Sequence, residues 1–291
     1  MHIPVLQKEV IEYLSPKPNE NFIDCTIDGG GHTAAILEKT SPKGRVLGID
    51  ADPEMLKNLE YRISNTEFKK RLVLVNDNFA NLKEIVKKVN LKSIQGILFD
   101  LGMSSWHLEE SGRGFSFLRK EPLDMRYNAS NPLNAEKLLN YWSESEIERV
   151  LREYGEERFS QQIAREIVAV RKIKPIKNNL QLVEILKRAI PVRFHHQKLH
   201  FATQAFQAIR IAVNDELNNL KKALPQALEI LKPKGKLIVI SFHSLEDRIV
   251  KNFLKESSIK ILTKKPVVPT QKEIIINRRS RSAKLRAAEK V

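Results

Sequence analysis

Two acidic residues and a glycine-rich turn form the pattern in this sequence that is best suited to chemistry. Asp24 ends the apolar run from Asn21, the turn Asp28-Gly-Gly-Gly-His32 follows, and a second apolar run ends on Asp50. A strand, a glycine turn, a helix and a second strand ending on an acid are typical of a βαβ nucleotide-cofactor site. The second acid, Asp50, then lies where it can accept hydrogen bonds from ribose hydroxyls.

The type of cofactor follows from the glycine spacing and from the charges. The turn does not fit G-x-G-x-x-G, and Asp24 and Asp28 would repel the pyrophosphate of a dinucleotide such as NAD. S-adenosylmethionine has no phosphate, and its sulfonium, ammonium and ribose diol all favour nearby carboxylates. Its own carboxylate can use the N–H groups at the helix start around Gly31 and His32. The sequence therefore favours S-adenosylmethionine over a dinucleotide.

Two further residues complete the predicted site. Phe79 follows the third strand, where it either stacks on an adenine ring or anchors the loop. Asp100 ends the fourth strand. Ligands of open parallel sheets lie beyond the carboxyl ends of the strands, so Asp100 is expected at the reacting centre, with a loop-capping role as the alternative.

Predicted strands and helices alternate along the chain up to Asp100, and they position these residues. The predicted strands span 21–26, 45–50, 71–76 and 94–100, and the predicted helices between them span 32–39, 52–63 and 80–89. This alternation indicates an α/β protein with a parallel sheet covered on both faces.

After Asp100 the pattern changes. Residues 105–200 show only helical spacing, which predicts an inserted all-helical domain and a discontinuous α/β domain over 1–104 and 201–291. The helical spacing of 203–231 is expected to break near Pro225. A strand is predicted within 234–243, a helix opening at Ser244, and a final hairpin from 259–263 and 273–277.

Composition favours a polyanionic partner. The chain has 291 residues, 50 Lys and Arg against 35 Asp and Glu, and a net charge of +15, so RNA or DNA is favoured through phosphate contacts. The basic segment 277–286 is either a phosphate-contacting arm or a solvated, partly disordered end.

Other classes are disfavoured. The chain has a single cysteine, Cys25, which excludes an intramolecular disulfide framework. Cys25 is predicted to be a thiol packed in the core. His195, His196 and His200 lack acidic or cysteine partners at ligand spacing, so no metal is expected. The sequence shows no signal peptide and no apolar run of membrane-spanning length, which makes the cytoplasm the expected compartment.

Several longer motifs carry a family resemblance over nearly the whole chain. They are Asp24 to His32, Asp100-Leu-Gly-Met-Ser-Ser105, Arg113-Gly-Phe-Ser-Phe117, Pro122-Leu-Asp-Met-Arg126, Tyr154-Gly-Glu-Glu-Arg-Phe159, Phe206-Gln-Ala-Ile-Arg-Ile211 and Ser241-Phe-His-Ser-Leu-Glu-Asp-Arg-Ile-Val-Lys251. In order and spacing they resemble the bacterial 16S ribosomal RNA cytosine-N4 methyltransferases of the MraW or RsmH type. The Ser241–Lys251 run is not a general feature of Rossmann-like folds.

The resemblance implies a Rossmann-like methyltransferase with a helical insertion and S-adenosylmethionine as donor. It implies, as substrate, a cytosine in the decoding region of 16S rRNA, position 1402 in the usual numbering, in the small ribosomal subunit. The cofactor contacts that it implies are Gly30, Gly31, His32, Asp50, Phe79, Asp100 and His107. The chain departs from the family at His107, where many relatives have Gln, and at Asp28-Gly29, where Gly and Arg or Lys are more usual.

The expected mechanism is a direct in-line displacement, with Asp100 as the catalytic residue accepting hydrogen bonds from the cytosine amino group. The target base must be single-stranded or flipped out, so aromatic and arginine side chains are candidate RNA contacts. The candidates are Trp106, Phe115, Phe117 and Arg126 in the insertion start, Arg158 and Arg165 on one helix, His243, and Arg278 and Arg279 in the tail. The alternatives are a hydrophobic seam for the aromatic residues, a structural role for His243 and solvated surface for the arginines.

Two rival functions remain. One is a ribosome-assembly factor without catalysis, which the pair Asp50 and Asp100 argues against. The other is a DNA amino-methyltransferase, but Leu101-Gly102 stands where those enzymes carry an Asn/Asp-Pro-Pro-Tyr loop. The oligomeric state does not follow from the sequence.

Overall fold

A computed structural model describes residues 4–195 and 199–291. The chain forms two compact units. The first comprises Met1–Gly102 and Leu217–Val291, and the second comprises Met103–Glu216.

The first unit is built on one mixed sheet of seven strands, counted over the described residues. The strands are β1 (Asn21–Asp24), β2 (Val46–Asp50), β3 (Leu72–Asn76), β4 (Ile94–Asp100), β5 (Leu231–Ser241), β6 (Ile259–Ile261) and β7 (Lys284–Lys290). Their order across the sheet is β3-β2-β1-β4-β5-β7-β6. The first five strands run parallel, and β7 is antiparallel to both β5 and β6.

Helices cover both faces of this sheet. They are α1 (Gln7–Leu14), α2 (Gly31–Lys39), α3 (Pro53–Ile63), α4 (Leu82–Val89), α11 (Glu216–Ile230), α12 (Ser244–Glu256) and α13 (Gln271–Ile276). One core packs α1, α2 and α3 against residues such as Phe22 and Leu98. The other packs α4, α11 and α12 against Ile23 and Phe99. Neighbouring strand residues point to opposite faces, so the central strands must be apolar throughout.

The second unit is helical. Its helices are α5 (Ser105–Glu109), α6 (Ala135–Tyr141), α7 (Glu144–Gly155), α8 (Ser160–Ile173), α9 (Asn179–Ala189) and α10 (Thr203–Asn214). They share a core that includes Leu138, Leu151, Ile167 and Leu186. The predicted all-helical insertion is therefore present.

The insertion ends later than predicted. The expected return to the α/β domain at residue 201 is wrong, because α10 buries Ala205, Ala208 and Ile209 in the helical core. The break in the helical segment 203–231 also lies elsewhere than predicted. Asp215 adopts a left-handed conformation with φ 52° and ends α10, whereas Pro225 is accommodated inside α11.

The C-terminal segment differs most from the prediction. The second strand of the expected hairpin, 273–277, lies instead in α13, which begins where Thr270 Oγ1 accepts a hydrogen bond from the Glu273 N–H. The strand that pairs with β6 is β7. Residues 284–286 of the basic tail are thus part of the sheet, and Arg286 is buried against Asp247. A disordered end is excluded for the β7 part of the tail.

No helix in residues 4–195 or 199–291 has both the length and the apolar character needed to cross a membrane.

Candidate functional site

Three acids meet at the carboxyl edge of the sheet in the first unit. Asp24, Asp50 and Asp100 end β1, β2 and β4. Strand β1 lies between β2 and β4, so the chain winds away from β1 in both directions. Such a switch in strand order opens a crevice beyond the strand ends, where ligands of open α/β sheets bind.

The glycine turn closes tightly between β1 and α2. Gly30 has φ +73° and its N–H donates to the Ile27 carbonyl, a conformation that favours glycine. Gly31 begins α2, and a Cβ on it would lie 2.3 Å from Cγ of Pro4. Asp28 also has a positive φ, 45°, although it is not a glycine. The turn therefore brings backbone N–H groups to the same edge as the three acids.

Asp24 is buried beneath this turn. Its Oδ2 accepts a hydrogen bond of 2.7 Å from Thr33 Oγ1, and its Oδ1 lies 3.3 Å from the Thr26 N–H. Burial raises the pKa of Asp24 to about 7, against the opposing effects of His32 and these two hydrogen bonds. Asp24 therefore changes its charge near neutral pH.

Asp50 fixes the second strand end. Its Oδ2 accepts the Asp28 N–H at 3.1 Å, and its Oδ1 accepts the Asp52 N–H at 2.8 Å. Asp52 in turn caps α3, accepting from the Glu54 N–H, and Pro53 is the first residue of that helix. The acid that caps α3 is thus Asp52 and not Asp50. The Asp50 carboxylate thus ties the glycine turn to the start of α3.

Asp100 and His32 face each other and are nearly inaccessible. His32 Nε2 lies 3.5 Å from Asp100 Oδ2. Asp100 Oδ1 and both ring nitrogens of His32 are buried and have no hydrogen-bond partner among residues 4–195 and 199–291. The Asp100 N–H donates to Thr26 Oγ1 at 2.6 Å, which fixes the strand end. Buried polar atoms without a hydrogen bond are costly, so these three atoms are available to bond a polar ligand.

Phe79 lies in a short 3-10 helix after β3 and is half-buried. Its ring packs edge-on against Phe99, with centroids 5.6 Å apart. Asn78 caps this turn by accepting the Ala80 N–H. Both predicted roles, adenine stacking and loop anchoring, remain compatible with this position.

Acidic side chains crowd the site around Asp28. Burial raises the pKa of Asp28 well above its usual value, and the charges of Asp50, Asp100, Asp24 and Asp52 raise it further. A ligand with positive charge relieves this repulsion, and a pyrophosphate increases it. The residues present therefore fit a cationic, phosphate-free cofactor and do not fit a dinucleotide.

Cys25, next to Asp24, takes no part in such chemistry. Its thiol is buried, and burial, with the charge of Asp24, raises its pKa well above the usual value. The expected core role for this thiol agrees with these observations.

Comparison with known families decides the class of protein. Residues 1–291 match the MraW methylase family. The chain belongs to this family. It is therefore a methyltransferase, and the predicted family, enzyme class and Rossmann-like fold are confirmed, together with S-adenosylmethionine as the donor.

Relatives match over the full length. A ribosomal RNA small subunit methyltransferase H from Dictyoglomus thermophilum is 48% identical and covers 100% of this chain and 97% of its own. A protein of the same name from Heliobacterium mobile is 46% identical, and the match covers 100% of this chain and 99% of that protein. A methyltransferase from Streptococcus mutans, solved in complex with SAH, covers 100% of both chains at 13% identity and a TM-score of 0.49.

The predicted contact His107 lies in the helical unit of this methyltransferase. It is buried, and its Nδ1 lies 2.9 Å from Ser104 Oγ in the capping box that begins α5. Its ring contacts Trp106, Phe115 and Tyr127. These contacts fix the imidazole, and its cofactor role stays a prediction.

The aromatic candidates for RNA stacking divide into two kinds. Phe115 is buried in the helical core, and Phe117 packs between His200 and Phe206 of the same unit rather than in a seam between insertion and core. Trp106 is half-buried, and the Arg113 guanidinium lies 5.3 Å from its ring centroid. Trp106 and Phe117 are both half-buried, and their RNA contacts stay predictions.

Arg126 has a structural role instead of the expected RNA contact. Its guanidinium is bonded to both carboxylate oxygens of Asp124, and it also donates to the carbonyls of Ala129 and Asn131. Because these acceptors occupy the guanidinium, stacking on RNA is not supported for this side chain.

The other basic candidates are exposed. Arg158 lies in the turn between α7 and α8, and Arg165 lies on α8. The helix expected over 156–171 starts only at Ser160, since Glu156 is left-handed and ends α7, so Arg158 lies outside it. Arg278 and Arg279 lie exposed in a 3-10 helix before β7. Their RNA contacts stay predictions.

His243 helps to begin α12, and its RNA contact stays a prediction. It is the N-cap residue of this helix, which starts at the predicted Ser244, and it forms a capping box with Glu246. Its Nε2 lies 3.1 Å from Glu246 Oε1. The prediction that the three neighbouring histidines bind no metal is not tested, since His196 lies outside the described residues. His195 Nε2 contacts the Ile190 carbonyl, and His200 stacks on Phe117.

Sequence reasoning missed Thr26 and Thr33. Thr26 accepts the Asp100 N–H, and Thr33 donates to Asp24, so both position acids of the site. The sequence signal was their place, since Thr26 follows the strand-end Asp24 by two residues and Thr33 comes directly after the glycine turn.

Proposed function

We propose that this methyltransferase transfers the methyl group of S-adenosylmethionine to N4 of a cytosine in 16S rRNA of the small ribosomal subunit, at position 1402 in the usual numbering. The names of its full-length relatives support a ribosomal RNA substrate. The net charge of +15 supports a polyanionic partner. The cytoplasm, where ribosomes are assembled, is the compartment that this substrate requires.

The strand-end residues hold the donor in this proposal. Asp50 accepts hydrogen bonds from the ribose hydroxyls, which are charge-assisted. The N–H groups at the start of α2, around Gly31 and His32, receive the donor carboxylate, with Gly30 permitting the close approach. Phe79 packs beside the adenine, and His107 is the remaining contact implied by the family pattern. When bound, S-adenosylmethionine supplies an electrophilic methyl group on a sulfonium.

Asp100 acts on the nucleophile. The cytosine amino nitrogen is a poor nucleophile because its lone pair is delocalised into the ring. Asp100 Oδ1 accepts a hydrogen bond from that amino group, which orients N4 at about 3–3.5 Å from the reacting carbon and stabilises positive charge as it develops on nitrogen. The transfer is then a direct in-line displacement. The protonated product is acidic enough to lose its proton to water, so no dedicated general base is needed.

One observation carries the proposal. Asp100 Oδ1 is a buried acceptor without a hydrogen-bond partner in the part of the chain that the structure describes, at the strand end beside the switch in strand order. An exocyclic amine supplies an N–H donor for this acceptor, whereas a carbon nucleophile supplies none.

The base must leave its stack to reach such an acceptor, at a cost of a few kcal/mol. The half-buried Trp106 and the exposed Arg158 and Arg165 of the helical unit, with Arg278 and Arg279 of the tail, are proposed to hold the RNA.

The test is mass mapping of methylated nucleotides in 16S rRNA from cells with and without this protein. We expect loss of one methyl group at the cytosine N4 in the deleted strain. Labelled methyl transfer to isolated small subunits, naked rRNA and DNA separates the rivals: a label on DNA supports a DNA enzyme, and no label on any of them supports a non-catalytic assembly factor. Either result overturns the proposal.

A further inference from the structure

Two aromatic residues from distant segments meet on the surface of the helical unit. Phe159 lies in the turn between α7 and α8, and Phe194 ends the short 3-10 helix Val192–Phe194. Their ring centroids are 5.0 Å apart with planes at 57°. Both rings are half-buried against the helical core, so they are held in place.

Two exposed arginines rest on these rings. The Arg158 Cζ lies 5.7 Å from the Phe159 centroid and 5.4 Å from the Phe194 centroid. The Arg193 Cζ lies 5.1 Å from the Phe194 centroid. Cation–π contacts of this kind restrain a guanidinium without using its N–H donors. We call these four residues the paired-arginine patch.

The guanidinium donors of the patch have no acceptor within residues 4–195 and 199–291. The guanidinium groups of Arg158 and Arg193 form no hydrogen bond or ion pair there, whereas Arg149 and Arg152 on α7 pair with Glu153 and Glu148. The neighbouring acid, Glu157, is only 5% exposed and accepts the Phe159 N–H. Two restrained guanidinium groups therefore present their donors to solvent.

We infer that the paired-arginine patch is a clamp for the phosphodiester backbone of the single-stranded RNA substrate. This inference rests on the proposed RNA substrate and adds the place where the strand is gripped. The fork of a guanidinium matches phosphate oxygens, and holding two forks on aromatic supports lowers the entropy lost on binding. Arg193 and Phe194 come from a segment that sequence periodicity did not connect with Arg158.

The experiment compares two double variants that remove equal charge from the same unit. One is Arg158→Gln with Arg193→Gln, and the matched control is Arg149→Gln with Arg152→Gln. Fluorescence anisotropy measures binding of a single-stranded 16S rRNA fragment over a range of salt concentrations. Steady-state methylation supplies KM for RNA and kcat, and calorimetry supplies the affinity for S-adenosylmethionine.

The patch variant is expected to raise KM for RNA about tenfold while kcat and donor affinity stay unchanged. Its log–log salt slope should fall by roughly 1.4, because about 0.7 is lost for each phosphate contact on a single strand. The control should keep the wild-type slope. Phe194→Leu, which keeps apolar packing but removes the ring, should weaken RNA binding with both arginines present.

An equal loss of RNA affinity in both double variants would indicate a general charge effect and would overturn the clamp. An unchanged salt slope of RNA binding in the patch variant would overturn it as well. Intact donor binding and thermal unfolding exclude misfolding as the cause of a loss. Because RNA binding is measured directly, the comparison decides on the clamp even if the methylated atom is not the cytosine N4.

Discussion

His32 Nε2 lies 3.5 Å from Asp100 Oδ2, and both side chains are buried at the carboxyl edge of the sheet. His32 comes from the first turn of α2 and Asp100 from the end of β4. The contact therefore joins the glycine turn, which is proposed to hold the donor, to the acid proposed to orient the acceptor. It leaves Asp100 Oδ1 available, since that atom has no hydrogen-bond partner within the described ranges 4–195 and 199–291.

Replacing Asp100 with Ala should abolish methyl transfer and leave the fold intact. The loss of the only proposed acceptor for the amino group removes stabilisation in the transition state, and we expect a rate at least roughly 10³-fold lower. Single-turnover transfer of labelled methyl, at saturating donor and RNA, measures this. Asp100→Asn, which keeps a carbonyl oxygen, should retain more activity than the Ala variant. Normal turnover in Asp100→Ala would remove Asp100 from the mechanism.

The affinity for S-adenosylmethionine should rise between pH 6 and pH 7.5. The pKa of Asp24 is raised by burial to about 7 in the folded protein, so its carboxylate gains charge over this range. A cationic donor binds better to the charged form, and the donor's own ammonium group, with an expected pKa of about 7.7–8.0, stays largely charged. Calorimetric titration at several pH values measures the slope.

The matched variant for this prediction is Asp24→Asn, which should flatten the slope. The stability of the donor-free protein changes with pH in the opposite direction to the donor affinity. Without donor, the folded state holds a proton on Asp24 that the unfolded chain loses near pH 3.8, so stability falls as pH rises from about 4 to about 7. An identical pH profile in the wild type and the Asn variant would show that Asp24 is not the titrating group.

Gly31→Ala should destabilise the protein by about 1–3 kcal/mol and weaken donor binding. The added Cβ would lie 2.3 Å from Pro4 Cγ, so either the N-terminal segment or the start of α2 must shift. Thermal unfolding and donor titration give the two effects. The double variant Pro4→Ala, Gly31→Ala removes the clashing Cγ and should recover most of the loss. Failure of this rescue would mean that the glycine is needed for another reason.

Arg286→Met should cost about 3–5 kcal/mol of unfolding free energy, because it leaves the Asp247 carboxylate without its main partner. Arg286 Nε donates to Asp247 Oδ1 at 2.6 Å. Burial opposes the charge on Asp247, but Arg286 and Lys284 outweigh it and lower the pKa. The pair therefore stabilises the folded protein at pH values above the ordinary Asp pKa. This stabilisation is lost as the pH falls through the lowered pKa of Asp247 in the folded protein. Arg278→Met, at an exposed site, should change stability by less than about 0.5 kcal/mol. If the two substitutions lowered the unfolding free energy equally, the buried ion pair would contribute no more to stability than an exposed arginine.

Most of the sheet and the acids at its edge followed from the sequence. Runs ending on Asp24, Asp50 and Asp100 are apolar because both faces of a parallel sheet are covered, and that requirement is local to each strand. The glycine turn was recognisable because Gly30 needs a positive φ. The C-terminal elements were not, since 273–277 is rich in isoleucine and fits a strand as well as a helix by composition alone.

The sequence by itself determined the class of protein, the cationic donor and the residues at the ends of the strands, because charge, glycine spacing and apolar runs act over short distances along the chain. Only the tertiary structure decided that Thr26 fixes Asp100, that α10 belongs to the helical unit, and that Arg193 joins Arg158 on one surface. Each of these depends on packing between segments far apart in sequence, and no local pattern records which surfaces meet.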